Sequence, residues 1–149
     1  MLSSELESCL NQAFHQAYIA HHELLSIEHL LLAILDVHQV REVLEGCGAN
    51  LEHLTDDLQQ HAKANTLPLI PGEHRPVQPH RSVQRVLQRA ALHVQASGKT
   101  EVGVLNILVA IFTEKHSHAV LLLGRMGVTR LVVVNYLSGL KPPGLDSTR

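Results

Sequence analysis

Twelve histidines, fourteen carboxylates and two cysteines carry the reactive chemistry of this chain, and their most suggestive grouping is His21-His22-Glu23 followed closely by Glu28-His29. Adjacent imidazoles raise the possibility of a metal. Zinc, however, needs three or four ligands brought to one point, and neither an HExxH helix nor a Cys/His knuckle is present to supply them. The histidines are therefore read as solvated or capping residues, with adventitious metal binding at His21 and His22 left open. Cys9 and Cys47 form no CxxC motif and fall on apolar stripes, which fits small packed thiols in a reducing compartment rather than nucleophiles. A phosphate loop of the form GxxxxGK[ST] and a GxSxG elbow are both missing.

With no catalytic grouping, the expectation is a binding module, not an enzyme, that needs no cofactor of its own. Its candidate contacts are His22, Glu23 and Glu28, polar residues at the mouth between helices. Two carboxylates there suit a basic partner. Glu28 has a second explanation as a charge at a helix N-terminus, worth about 0.3–1 kcal/mol, and Glu23 as a solvated loop residue. The formal net charge of -2 and pI near 6.6 give no long-range attraction for nucleic acid or an anionic membrane. No apolar run approaches the length of a membrane span, and Met1-Leu2-Ser3-Ser4-Glu5 lacks the basic start of a secretory signal. A cytoplasmic protein is expected.

These side chains must be positioned by helices. Hydrophobic residues make up 45% of the chain but aromatics only 3%, and Trp is absent, so the core has to be built from Leu, Val, Ile and Ala. Ser26 can cap a helix whose Ile27, Leu30, Leu31 and Ile34 recur at spacings of three and four, giving one face that must be buried. Leu2, Leu6, Cys9, Leu10, Ala13 and Ala17 trace an earlier helix to about Ala20. Val40, Val43 and Leu44 trace a later one, which Gly46 and Gly48 can end. Asn50 caps a fourth, with Leu51, Leu54 and Leu58 inward.

The pattern recurs 77 residues on. Residues 10–45 lie on 87–122 without a gap, matching Leu31 to Leu108, Ile34 to Ile111, Val43 to Val120 and Leu44 to Leu121. Two further residues, inserted after that, bring Leu54 onto Val133 and Leu58 onto Leu137, with Thr129 in the capping place of Asn50. Such a tandem duplication predicts an all-α bundle of eight helices, two four-helix repeats (about 2–64 and 81–139) related by a pseudo-twofold axis. Between them, Pro68, Pro71, Gly72, Pro76 and Pro79 mark a linker over 66–80. A helix starting at Ser82 or a neighbour opens the second repeat, Gly98 closes it, and 140–149 reads as the start of a flexible linker.

The segment Ser26-Ile27-Glu28-His29-Leu30-Leu31-Leu32-Ala33-Ile34-Leu35, its duplicated partner and the Pro-rich connection resemble the Clp N-terminal domain of the AAA+ unfoldases. Arg41-Glu42-Val43-Leu44-Glu45, Gln84-Arg85-Val86-Leu87-Gln88-Arg89-Ala90 and Arg130-Leu131-Val132-Val133-Val134-Asn135 point to its ClpA-type branch. The resemblance implies a substrate-delivery domain, in a parent that uses ATP and Mg and works with the ClpP protease, which docks the ClpS adaptor. It assigns Glu23, Glu28, His22, His80 and Arg130 to the adaptor surface, with His80 standing where the ClpA pattern has threonine. In ClpC-like domains both repeats carry a Glu-His pair that recognises phosphorylated arginine. Here the second pair is Leu105-Asn106, which disfavours two such sites. The alternative expectation is a chaperone-like module that binds unfolded segments directly.

Overall fold

The computed structural model describes residues 1–65 and 76–139, so the expectations for Pro68, Pro71 and Gly72 and for 140–149 lie outside the described residues. The first repeat holds α1 (Ser4–Ile19), α2 (Ile27–Ile34), α3 (His38–Gly46) and α4 (Leu51–Asn65). The second holds α5 (Arg81–Ala96), α6 (Val104–Ile111), α7 (His118–Arg125) and α8 (Arg130–Leu137). Two short parallel strands, β1 (Leu24–Leu25) and β2 (Gln78–Pro79), join them. The helices begin largely where side-chain oxygens can accept the free amides of a first turn: Ser26 from His29, Asn50 from His53, Ser117 from Val120 and Thr129 from Val132. His80, not Ser82, caps α5, its Nδ1 accepting the Ser82 amide at 3.1 Å. Ser82 sits inside the first turn.

The repeats match element by element, with one correction to the sequence register. Helices α1 and α5 have 16 residues each and α2 and α6 have 8 each, at the expected offset. Buried Val40, Val43 and Leu44, however, correspond to buried Ala119, Leu122 and Leu123, whereas Leu121 is 51% exposed. The two inserted residues therefore lie before α7, in the α6–α7 connection, and not after the third helix.

Contacts between the repeats interchange as a twofold relation requires: α3 packs on α8 as α7 packs on α4, and α3 on α6 as α7 on α2. The backbone repeats the exchange. Leu25 pairs with Pro79, and its counterpart Val102 bridges to Leu2, the counterpart of Pro79. Accordingly the His80 amide donates to the Leu25 carbonyl and the Ser3 amide to that of Val102, both at 2.8 Å. Each repeat thus lends its entry segment to the other.

The paired helices α2 and α6 meet at the centre, where Leu30, Leu31, Ile34, Ile107, Leu108 and Ile111 are fully buried in one core spanning both repeats. At the edges the packing is specific. His118 bonds Asp57, and its ring stacks on His61 with centroids 3.9 Å apart, tying α7 to α4. Gly46 lets Tyr136 of α8 approach α3: a Cβ there would lie 2.4 Å from the tyrosine ring. Cys9 and Cys47 are free thiols whose pKa values are raised by burial, as packed cysteines should be. Among the described residues no single helix is long and apolar enough to cross a membrane.

Candidate functional site

The chain leaves α1 through a left-handed residue, His21 at φ 61°, which turns it so that the His22 amide bonds back to the Ala17 carbonyl at 2.8 Å. This is the turn that commonly ends a helix, and glycine normally supplies it. The second repeat has Gly98, at φ 77°, in the same place.

The turn directs His22 inward. Its Nδ1 lies 3.0 Å from Nε2 of His29, with the two rings edge to face. The Ser26 amide donates to His29 Nδ1 at 3.0 Å, which fixes the tautomer: His29 carries its proton on Nε2 and gives it to His22. Burial, and then the charge of neighbouring His22, push His29 down to about 4, and burial also lowers His22. Both rings are neutral at pH 7. The Ser26 hydroxyl lies 2.8 Å from the same Nδ1 while its oxygen accepts the His29 amide, so this serine is committed to capping. Asn106 repeats half of the device in α6, its Oδ1 accepting the Gly103 amide at 2.9 Å.

Glu28 is buried, and its carboxylate lies at the start of α7 in the other repeat, where it accepts the Ala119 amide at 3.0 Å. The helix dipole it meets is that of α7. Its counterpart Leu105 offers no such acceptor. The inter-repeat cap is therefore one-sided.

Glu28 and His80 line one cleft of about 620 Å³, together with Ser26, Arg85 and Arg89 from α5 and the connection ahead of α7. Within it Glu114 accepts from two Arg85 nitrogens, Nε at 3.0 Å and Nη2 at 2.7 Å, and from Arg89 Nη1 at 2.7 Å. Hydrogen bonds from Arg85, and then Arg89, hold the Glu114 carboxyl below the usual range against its burial. His22 faces a different cleft, about 720 Å³, with Gln12, Gln16 and Gln59. Arg130, exposed at the first turn of α8, lines a third of about 600 Å³. The third adjoins the first along Arg89 and Thr113. Glu23 is half-buried next to β1, and its carbonyl accepts the Gln78 amide at 3.2 Å. Of the five residues that the resemblance assigns to a docking surface, the fold places Glu28 and His80 in one cleft and distributes the others around it. The Arg85–Glu114–Arg89 cluster escaped the sequence reading, although two arginines at i, i+4 on one helix face were a visible signal.

The chain is thus a duplicated helical bundle with exchanged entry strands and clefts between its helices. The Clp repeat (R) N-terminal domain model matches residues 1–126, and the chain belongs to that family. A "ClpA homolog protein" from Fuscovulum blasticum is 39% identical over 137 residues, covering 91% of this chain and 17% of its own length. The chain thus spans about a sixth of that relative. Among solved structures, the Hsp104 N-terminal domain from Candida albicans superposes with a TM-score of 0.78 at 15% identity, covering 93% of this chain and 91% of that one. A ClpV N-domain in complex with a VipB peptide gives 0.70 at 20% identity, covering 92% and 84%. Both likenesses establish the fold.

Proposed function

We propose that this domain is the adaptor-docking and substrate-delivery module of a ClpA-like, ATP-dependent cytoplasmic unfoldase. On this reading it binds a ClpS adaptor and protein substrates, and the parent passes them to the ClpP protease, with ATP and Mg used by modules outside this chain. The observation that carries it is the cleft holding Glu28 and His80 at the junction of the repeats, with Glu23 just ahead of the exchanged strand β1, in a chain with a ClpA-type relative. A rim carboxylate steers a basic adaptor surface, and Glu28 offers it charge next to a fixed helix N-terminus.

Titrating purified ClpS into the domain tests the reading. Because Glu28 also caps α7, Glu28→Gln is the informative change: the amide oxygen can still accept the Ala119 N–H, while the charge is gone. Combined with Glu23→Lys it should weaken adaptor binding roughly tenfold or more without loss of fold. Unchanged affinity would remove these residues from the interface. Direct capture of unfolded segments is the second reading, favoured by the separate, amide-lined cleft beside His22. It predicts binding of an unfolded model protein without adaptor, unaffected by the same two substitutions.

A further inference from the structure

The duplication leaves the molecule with two equivalent clefts whose shapes correspond but whose charges do not. In the first repeat the cleft between α1, α2 and α4 is lined by Gln12, Gln16, His22, His29, Leu32 and Asp36, among others. At the same places the cleft between α5, α6 and α8 presents Arg89, His93, Lys99, Asn106, Val109 and Thr113. Two glutamines and a histidine have become an arginine, a histidine and a lysine, and the aspartate has become a threonine. Arg130 adds a further cation at the α8 rim, where the first repeat has Leu51. No carboxylate lines the second cleft among the described residues.

This positive field is local, since the chain as a whole carries a net charge of -2. Arg89 is shared with Glu114, but Lys99 and Arg130 have no ion-pair partner among the described residues, and both are exposed. Between the cations lie the apolar groups of Ala90, Val109, Ala110, Val134 and Leu137, the last 40% exposed. An apolar floor with a cationic rim is complementary to a helical segment that carries leucine-like residues on one face and carboxylates along its edges.

We propose that the α5–α6–α8 cleft is a second docking site, specific for an acidic amphipathic protein segment. The inference rests on the partner-delivery reading above and its cleft shares Arg130 with the adaptor residues, but its test turns on Lys99, so each can fail alone. Basic segments are disfavoured at this site by Lys99 and Arg130. The first-repeat cleft also holds cations, Arg41, whose Nη1 donates to the Leu35 carbonyl at 2.8 Å, and Lys63, but Asp36 offsets them there, so its positive charge is smaller than that of the second cleft.

Fluorescence anisotropy with the whole chain tests the proposal. The probe is a labelled synthetic helix-forming peptide with Leu on one face and Glu along both edges, compared with its Lys-for-Glu counterpart. The Glu peptide should bind roughly tenfold or more tightly than the Lys peptide, and added salt should narrow the gap. Lys99→Glu, a change at an exposed position outside the adaptor residues, should abolish the preference, while Glu23→Lys with Glu28→Gln should leave it intact. Equal binding of the two peptides, or a preference unchanged in Lys99→Glu, would overturn the proposal. So would sedimentation showing that the chain pairs with itself through this cleft and that Lys99→Glu ends the pairing without any peptide having bound. Retained peptide preference with no ClpS binding would instead remove only the adaptor reading.

Discussion

Replacing His29 with asparagine isolates a proton-linked part of this protein's stability. In the folded chain His29 is held down to about 4 by burial and by His22, whereas in the unfolded chain it returns to the ordinary imidazole value of 6.5. The unfolded state therefore binds the extra proton at mildly acid pH. The stabilisation is fully present above 6.5, falls as the pH drops, and is exhausted below about 4. The drop from 6.5 to about 4 corresponds to a limit of about 3 kcal/mol, and integration from pH 7 to pH 5 gives a loss of about 2 kcal/mol. Asparagine is the residue that the second repeat uses at this place, where Asn106 accepts the Gly103 amide. His29→Asn should thus keep the cap on the Ser26 amide while deleting the titration. Urea unfolding followed by circular dichroism at pH 7 and pH 5 measures the effect. Wild type should lose about 2 kcal/mol more than the variant over that interval. Groups elsewhere, the Asp57–His118 pair among them, are common to both proteins and cancel in the comparison. Equal losses would refute the assignment of a buried neutral pair.

Other substitutions probe the packing and the caps. Leu31→Ala, at a fully buried position, should cost about 2–5 kcal/mol in denaturant unfolding, and Glu52→Ala, on the exposed face of α4, should stay within about 0.5 kcal/mol. Similar effects at both positions would contradict the helix register. Glu28→Ala should cost about 1–3 kcal/mol because it orphans the Ala119 amide, and Glu28→Gln should recover most of that loss in the same assay. His21→Gly should stabilise the domain by about 0.5–1 kcal/mol, measured as a raised urea midpoint, since glycine takes φ 61° without the side-chain penalty.

The long, periodic parts of this fold were legible in the sequence. Ile27, Leu30, Leu31 and Ile34 and their images 77 residues later gave the two central helices, and Ser26, Asn50 and Thr129 announced starts that the structure keeps. The position of the inserted pair was not legible, for a physical reason: Val120-Leu121-Leu122-Leu123 is apolar throughout, so any register offers hydrophobic matches, and only burial shows that Leu121 faces outward. Strands of two residues have no period to detect. They depend on an exchange between segments far apart in sequence. His80 was read only as an adaptor residue, and the helix start was placed at Ser82 or a neighbour, because an imidazole is an uncommon N-cap. Glu28 was recognisable as a charge at a helix N-terminus, but the amide it accepts lies 91 residues away, which no local pattern encodes. The site was therefore legible as a list of residues and not as a geometry: the sequence could not separate the cleft of Glu28 and His80 from those of His22 and Arg130.

The most direct test of adaptor docking is a map of the contact surface itself, recorded as amide shifts in the isotope-labelled domain while unlabelled ClpS is added. The largest changes should fall on residues 22–28, on β2 and His80, and on the Ala119 amide that Glu28 holds, with lesser changes near Arg130. Changes confined to the exposed outer faces of α1 and α3, or none at adaptor concentrations that saturate a ClpA-type domain, would contradict it.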